Sequence, residues 1–338
     1  METPSADMRV AQASPSHNKD RFMKRILATF AFVVIASSAF AEPAFQEQTV
    51  MVKKPGLFGY DIETQVYSPN APGHYPIVVL NHGHTASPDQ TESFRGQAIE
   101  FLKRGYVVVV PFRAGHSHSG GMPVKGACYD VGMVHELADD VVPAINYAKS
   151  LPNVDPTKIV LIGISQGGMT VAGLGAMSIP GVIGIVNFVG GAKQPGCKSG
   201  YYPTIAAFAT LGKTSTVPAL FAYGDNDDYG SAEPADSAPR KFMQVYNEAG
   251  GHATFYDYGE FGSDSHVMFV RKAGLPLWVP EVGKFFESLG LNWQVQSEIR
   301  APFAWDHKKS REIAAHGNNL DSGPSGDSDD DGTSKSGD

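Results

Sequence analysis

The sequence predicts an α/β fold, a mostly parallel central sheet with helices on both faces. Short, almost wholly apolar runs such as Tyr106 to Phe112 and Lys158 to Ile164 are bounded by glycine or polar loops, as fully buried strands are. They alternate with stretches of helical period, the mark of strand–helix–strand units. A third observation centres the sheet. The run ending at Gly163 meets a serine, two glycines and then a small-residue helical stretch.

Taken in order, Thr49 to Lys53 and Tyr60 to Tyr67 read as an antiparallel start, with Pro55-Gly56 in the connection. Pro76 to Leu80 is a buried strand ending in Asn81-His82-Gly83-His84. Glu92 to Arg104 reads as a helix with Phe94, Ala98, Phe101 and Leu102 on one face and Gly105 as its stop. The strand Tyr106 to Phe112 leads into a loop from Arg113 to Gly121, and a helix is expected over His135 to Ser150. After the central strand and its helix come strands at Gly181 to Phe188, Pro218 to Tyr223 and Ala253 to Tyr258. Helices are expected at Ala235 to Ala249 and Pro276 to Leu289. Loops at the carboxyl ends of parallel strands gather on one edge, where ligands bind. The polar loops after these strands belong to that edge.

The ends of the 338-residue chain lie apart from this pattern. Residues 23–41 read as a signal peptide: Lys24 and Arg25 precede an apolar run, and Ala39-Phe40-Ala41 offers a small-x-small cleavage site. Residues 1–22 are then a dispensable extension, with Met23 at the natural start. Residues 316–338 are mostly Gly, Ser and Asp with one lysine, too polar to bury a core. Six aspartates there supply about −5 of the formal net charge of −8, so acidity says little about substrate. No basic or aromatic-rich stretch points to nucleic acid. The domain is therefore expected at 42–315, in a periplasmic or secreted protein with no integral membrane span after processing. Cys128 and Cys197 fit one disulfide in an exported chain, free thiols being the alternative.

The chemistry centres on Gly163-Ile164-Ser165-Gln166-Gly167-Gly168. A serine on a sharp strand-to-helix turn is held out of the sheet, and small neighbours are needed where side chains would collide. The helix beginning beside it aims free N–H groups and its positive dipole end at any anion forming there. Ser165 is the candidate nucleophile, and a hydroxyl in that role needs a base. His266 follows the last strand and can reach this edge, whereas His252 precedes that strand and belongs to the opposite one. Asp225, Asp227 and Asp228 follow the preceding strand, and any could orient the imidazole.

These motifs, in this order, resemble the dienelactone hydrolase-like group of the α/β-hydrolases over about residues 60 to 290. They are His82-Gly83 after an early strand, the Gly-x-Ser-x-Gly-Gly turn, Gly224-x-x-Asp227, and Gly262-x-x-x-His266. The resemblance implies a Ser165, Asp227, His266 triad and an oxyanion hole from the backbone N–H groups of Gln166 and His84. Ala86 stands where relatives often carry a second glycine. His82 is expected to pin the loop by a hydrogen bond. The enzymes that named the group use cysteine as nucleophile, so the serine here points to a general carboxylesterase.

Three other readings fit some of these residues. Gly-x-Ser-x-Gly-Gly also occurs in prolyl-oligopeptidase-like catalytic domains, which makes an exopeptidase or other amide hydrolase the runner-up. His82-x-His84 and His116-x-His118 could together hold a transition metal. The same fold could also serve as a non-catalytic binding domain. The expectation is a serine hydrolase acting on a small-molecule ester or acyl substrate, with no cofactor and no metal. Its acyl pocket is expected from the 113–135 loop, the 190–210 segment and the 227–235 loop, with Tyr129, Tyr201 and Tyr202 as candidates by position. Oligomeric state is left open.

Overall fold

A computed structural model describes residues 44–85, 87, 91–191, 196–299 and 305. The expected signal segment and acidic tail lie outside the described residues, as does Ala86. Among the described residues, no helix is long and apolar enough to cross a membrane.

Eight strands form one sheet in the order β1-β2-β4-β3-β5-β6-β7-β8. They are β1 (Phe45–Lys53), β2 (Asp61–Pro69), β3 (Tyr75–Asn81), β4 (Val107–Pro111), β5 (Val154–Ile164), β6 (Val182–Phe188), β7 (Pro218–Tyr223) and β8 (His252–Asp257). β1 pairs antiparallel with β2, and β2 antiparallel with β4; every pairing from β4 through β8 is parallel. All five residues of β4 are buried, and β3 is buried from Ile77 to Asn81. Continuous apolar strands of this kind are stable only with both faces covered.

The helices are α1 (Arg95–Leu102), α2 (Val131–Asp139), α3 (Val142–Lys149), α4 (Gln166–Gly175), α5 (Tyr202–Gly212), α6 (Ala238–Glu248) and α7 (Leu275–Ser288). Phe101 of α1 stacks on Trp278 and Phe286 of α7, a shared aromatic cluster that joins these two helices. α4 packs against α2 and α5, and α5 against α6.

The structure departs from the sequence expectation in two places. The first helix starts at Arg95 rather than Glu92, because Phe94 takes a left-handed conformation (φ 53°) and ends regular helix there. The single helix expected over 135–150 is two, α2 and α3. Pro143 has no N–H to return to the carbonyl of Asp139. At the break, the Asp140 carboxylate accepts hydrogen bonds from Lys54, Tyr60 and the backbone N–H of Ala114.

Candidate active site

The site is built at the carboxyl edge of the parallel strands. β5 ends at Ile164, and Ser165 follows with φ 55° and ψ −121°, a backbone conformation that a residue with a side chain adopts only under constraint. The constraint is visible. Ser165 N–H donates to Phe188 O on β6 at 2.9 Å, and Ser165 O accepts from Gly168 N–H at 2.9 Å as α4 begins. A side chain at Gly163 would bring its Cβ within 2.0 Å of Gly167 O, and one at Gly167 within 2.1 Å of Asn81 O. Neither backbone oxygen can move aside, so the turn requires glycine at both positions.

Asp227 follows β7, and His266 sits in a short 3-10 turn (Ser265–Val270) after β8. Of the three acidic candidates, Asp227 is the one whose carboxylate reaches the histidine: its Oδ2 lies 2.8 Å from His266 Nδ1. The other oxygen, Oδ1, accepts from Tyr229 N–H at 2.8 Å. A carboxylate can only accept, so the proton of a neutral imidazole sits on Nδ1 and Nε2 is left as the free basic nitrogen. Asp227 is buried and His266 half-buried. Asp264 Oδ1 accepts the His266 backbone N–H at 2.8 Å, and the Tyr229 ring lies against the imidazole, centroids 5.1 Å apart. Asp225 faces elsewhere, grouped with Asp257 and Glu233, and Asp257 pairs with Arg240. Asp228 is exposed. His252 pairs with Pro218 at the amino ends of β8 and β7, away from this edge.

The loop after β3 lies against the serine. A Cβ on Gly83 would stand 3.2 Å from Ser165 Cβ and 3.8 Å from its Oγ, so the Gly83–His84 backbone borders the hydroxyl. His82 is buried and fully committed. It accepts the Arg113 backbone N–H on Nε2 at 3.0 Å, which leaves Nδ1–H to donate to Gly83 O at 2.7 Å. Burial first, then the neighbouring Arg113 charge, hold its pKa well below the usual imidazole value, so the ring stays neutral. His116 donates from Nδ1 to Ala114 O, and its Nε2 has no hydrogen-bond partner among the described residues. His118 Nδ1 pairs with Glu63 at 2.8 Å. Both ring nitrogens of His82 are thus engaged, which leaves it no lone pair free for a metal.

Arg113 was not singled out by sequence reasoning, since a basic residue after a strand reads as solvent-facing. The residue is 1% exposed, and its guanidinium donates from Nη2 to Gln166 Oε1 at 3.0 Å and Gly83 O at 3.3 Å. Cys128 and Cys197 are joined by a disulfide, tying the loop before α2 to the segment before α5. A cavity of about 290 Å³ opens beside Asp227, lined by Tyr201, Ser231, Glu233 and Pro234 among others. Tyr201 donates its hydroxyl to Tyr229 O at 2.6 Å, Tyr129 is buried, and Tyr202 is exposed.

The family model of X-Pro dipeptidyl-peptidase (S15 family) matches residues 59–196, a span that includes Ser165 and stops short of Asp227 and His266. A search of curated proteins finds no match. Among solved structures, a candidate dipeptidyl aminopeptidase IV from Bacteroides ovatus is 18% identical, with a TM-score of 0.56 over 73% of this chain and 36% of its own. An acylaminoacyl peptidase from Pyrococcus horikoshii is 16% identical, with a TM-score of 0.55 over 75% of this chain and 43% of its own. The chain thus spans less than half the length of either peptidase. Est1E from Butyrivibrio proteoclasticus, solved with ferulic acid bound, is 17% identical, with a TM-score of 0.52 over 71% of this chain and 98% of its own. The strand order, the strained serine turn after β5 and these likenesses show that the chain has the α/β-hydrolase fold.

Proposed function

We propose that this protein is an exported serine hydrolase that cleaves carboxylic esters through an acyl-enzyme intermediate. The observation that carries the reading is the Asp227–His266 hydrogen bond at 2.8 Å, formed on the strand edge where Ser165 is held in its strained turn. Ser165 Oγ attacks the ester carbonyl carbon while His266 Nε2 takes its proton. The carbonyl electrons move to oxygen, and Asp227 stabilises the imidazolium. The N–H groups of Gln166 and His84 stabilise that oxyanion. Collapse breaks the carbon–oxygen bond to the alcohol, which leaves with the proton from His266. Water then repeats the sequence on the acyl-serine and releases the acid. No cofactor takes part.

The runner-up is an exopeptidase or other amide hydrolase, favoured by the S15 family match over 59–196 and by the two peptidase likenesses. Est1E, matched over nearly its whole length, favours a compact esterase. Parallel assays with p-nitrophenyl esters and Xaa-Pro p-nitroanilides decide between them. The ester reading expects kcat/KM on short-chain esters to exceed that on the anilides. The reverse order would replace it with the peptidase. Export to the periplasm or medium rests on residues 23–41 alone, and N-terminal sequencing of the mature protein, expected to begin at Glu42, tests it.

A further inference from the structure

We propose that Arg113 is a positioning residue for the oxyanion site, holding both of its backbone donors through the single contact atom Nη2. This rests on the serine-hydrolase reading above. Burying Arg113 opposes folding. Arg113 is 1% exposed, and its Nε and Nη1 have no hydrogen-bond partner among the described residues. No carboxylate among the described residues lies within ion-pair distance of it, although the nearby Asp140 charge partly offsets its burial. Burial lowers its pKa to about 10, which still leaves it charged at neutral pH. A buried cation with unsatisfied donors opposes folding, and an apolar side chain of similar length would fill the space at less cost.

The contacts it does make all lead to the nucleophile. Gly83 O accepts from Arg113 Nη2 at 3.3 Å and from His82 Nδ1–H at 2.7 Å, and His82 is itself held by the Arg113 backbone N–H. A trans peptide is planar, with its C=O and N–H pointing in opposite directions. Pinning Gly83 O from behind therefore aims the His84 N–H the other way, on the loop that borders Ser165. The same Nη2 holds Gln166 Oε1 at 3.0 Å, fixing the residue that opens α4 and carries the second donor. Donors preset in this way do not have to reorganise when charge develops on the substrate oxygen, and a fixed positive charge behind them adds to the field there. Arg113 touches no substrate in this account; it acts through two peptide groups.

The test compares full-length wild type with Arg113→Met, Arg113→Lys and Ser165→Ala. The readouts are thermal unfolding, kcat and KM on p-nitrophenyl acetate, and affinity for an alkyl trifluoromethyl ketone, whose serine adduct carries an oxyanion. Arg113→Met is expected to fold with a midpoint at or above wild type and to lose about 10²-fold in kcat, the scale of one oxyanion donor. KM should stay within about threefold, and ketone affinity should fall in parallel with kcat. Arg113→Lys keeps a cation but lacks the fork, and is expected to lose roughly tenfold in kcat, which keeps the test readable if the methionine variant does not fold. A folded Arg113→Lys or Arg113→Met with wild-type kcat, or with a loss confined to KM, would overturn the role while inactive Ser165→Ala upheld the nucleophile. Full hydrolysis by Ser165→Ala would overturn both.

Discussion

The hydrogen bonds of Asp227 make its replacement by asparagine a sharp test of how the base is kept basic. In the wild type, one carboxylate oxygen accepts from Tyr229 N–H at 2.8 Å and the other from His266 Nδ1–H at 2.8 Å. Asparagine offers one oxygen and one NH₂. The Tyr229 amide can only donate, so it claims the oxygen and leaves the NH₂ facing the imidazole. His266 must then accept at Nδ1 and carry its proton on Nε2, the nitrogen that the proposed mechanism needs free for the serine proton. Asp227 is buried, so water cannot readily supply a substitute acceptor. The substitution changes the tautomer with little change of shape, and the corresponding exchange in a serine protease triad costs about 10⁴ in kcat. At 1.36 kcal/mol per tenfold, that is about 5.4 kcal/mol of transition-state stabilisation. The assay is steady-state hydrolysis of p-nitrophenyl acetate, with near-ultraviolet circular dichroism to confirm folding. Asp228→Asn, at an exposed carboxylate, serves as the control and should keep kcat within about threefold. A folded Asp227→Asn retaining more than about a tenth of wild-type kcat would refute the tautomer argument.

Three further outcomes follow from the geometry. Gly167→Ala would set a Cβ 2.1 Å from the Asn81 carbonyl oxygen and should yield little soluble protein, or an unfolding free energy lowered by more than about 2 kcal/mol by urea titration. A wild-type midpoint would contradict that close approach. Reducing Cys128–Cys197, which closes a loop of sequence separation 69, should lower stability by about 4 kcal/mol on the chain-entropy account, read as a drop in the urea midpoint with dithiothreitol. His82 is held neutral when folded, its pKa well below the 6.5 of an exposed imidazole, chiefly by burial. Below about pH 6.5 the unfolded chain binds a proton that the native chain refuses, so this contribution is complete above that pH and declines below it. The slope is about 1.4 kcal/mol per pH unit, and His116, shifted the same way, adds to it. Stability that stays flat in urea titrations from pH 6.5 to 5 would contradict the buried neutral ring.

The strands were legible because burial on both faces leaves no choice of residue: Val107 to Val110 could hardly be anything but a central strand. The serine turn was legible because only glycine can stand where Gly163 and Gly167 meet backbone oxygen. Local rules lost where tertiary contacts decided. Phe94 has the period of a helix face, yet its left-handed backbone starts α1 later. Pro143 and the recruitment of Asp140 by Lys54, Tyr60 and Ala114 divide one apparent helix into two, and two of those partners lie about 80 residues away in sequence. The choice among Asp225, Asp227 and Asp228 depended on which carboxylate turns toward His266, and sequence spacing carries no such direction. Arg113 was the least legible, since nothing local distinguishes a buried arginine from a solvated one.

The most direct measurement of the central claim is reaction of the purified protein with a fluorophosphonate, followed by peptide mass mapping, on wild type and Ser165→Ala. The account predicts one adduct on Ser165 in the wild type and none in the variant. A folded wild type that takes up no label, or carries it on another residue, would contradict the assignment of Ser165 as the activated nucleophile.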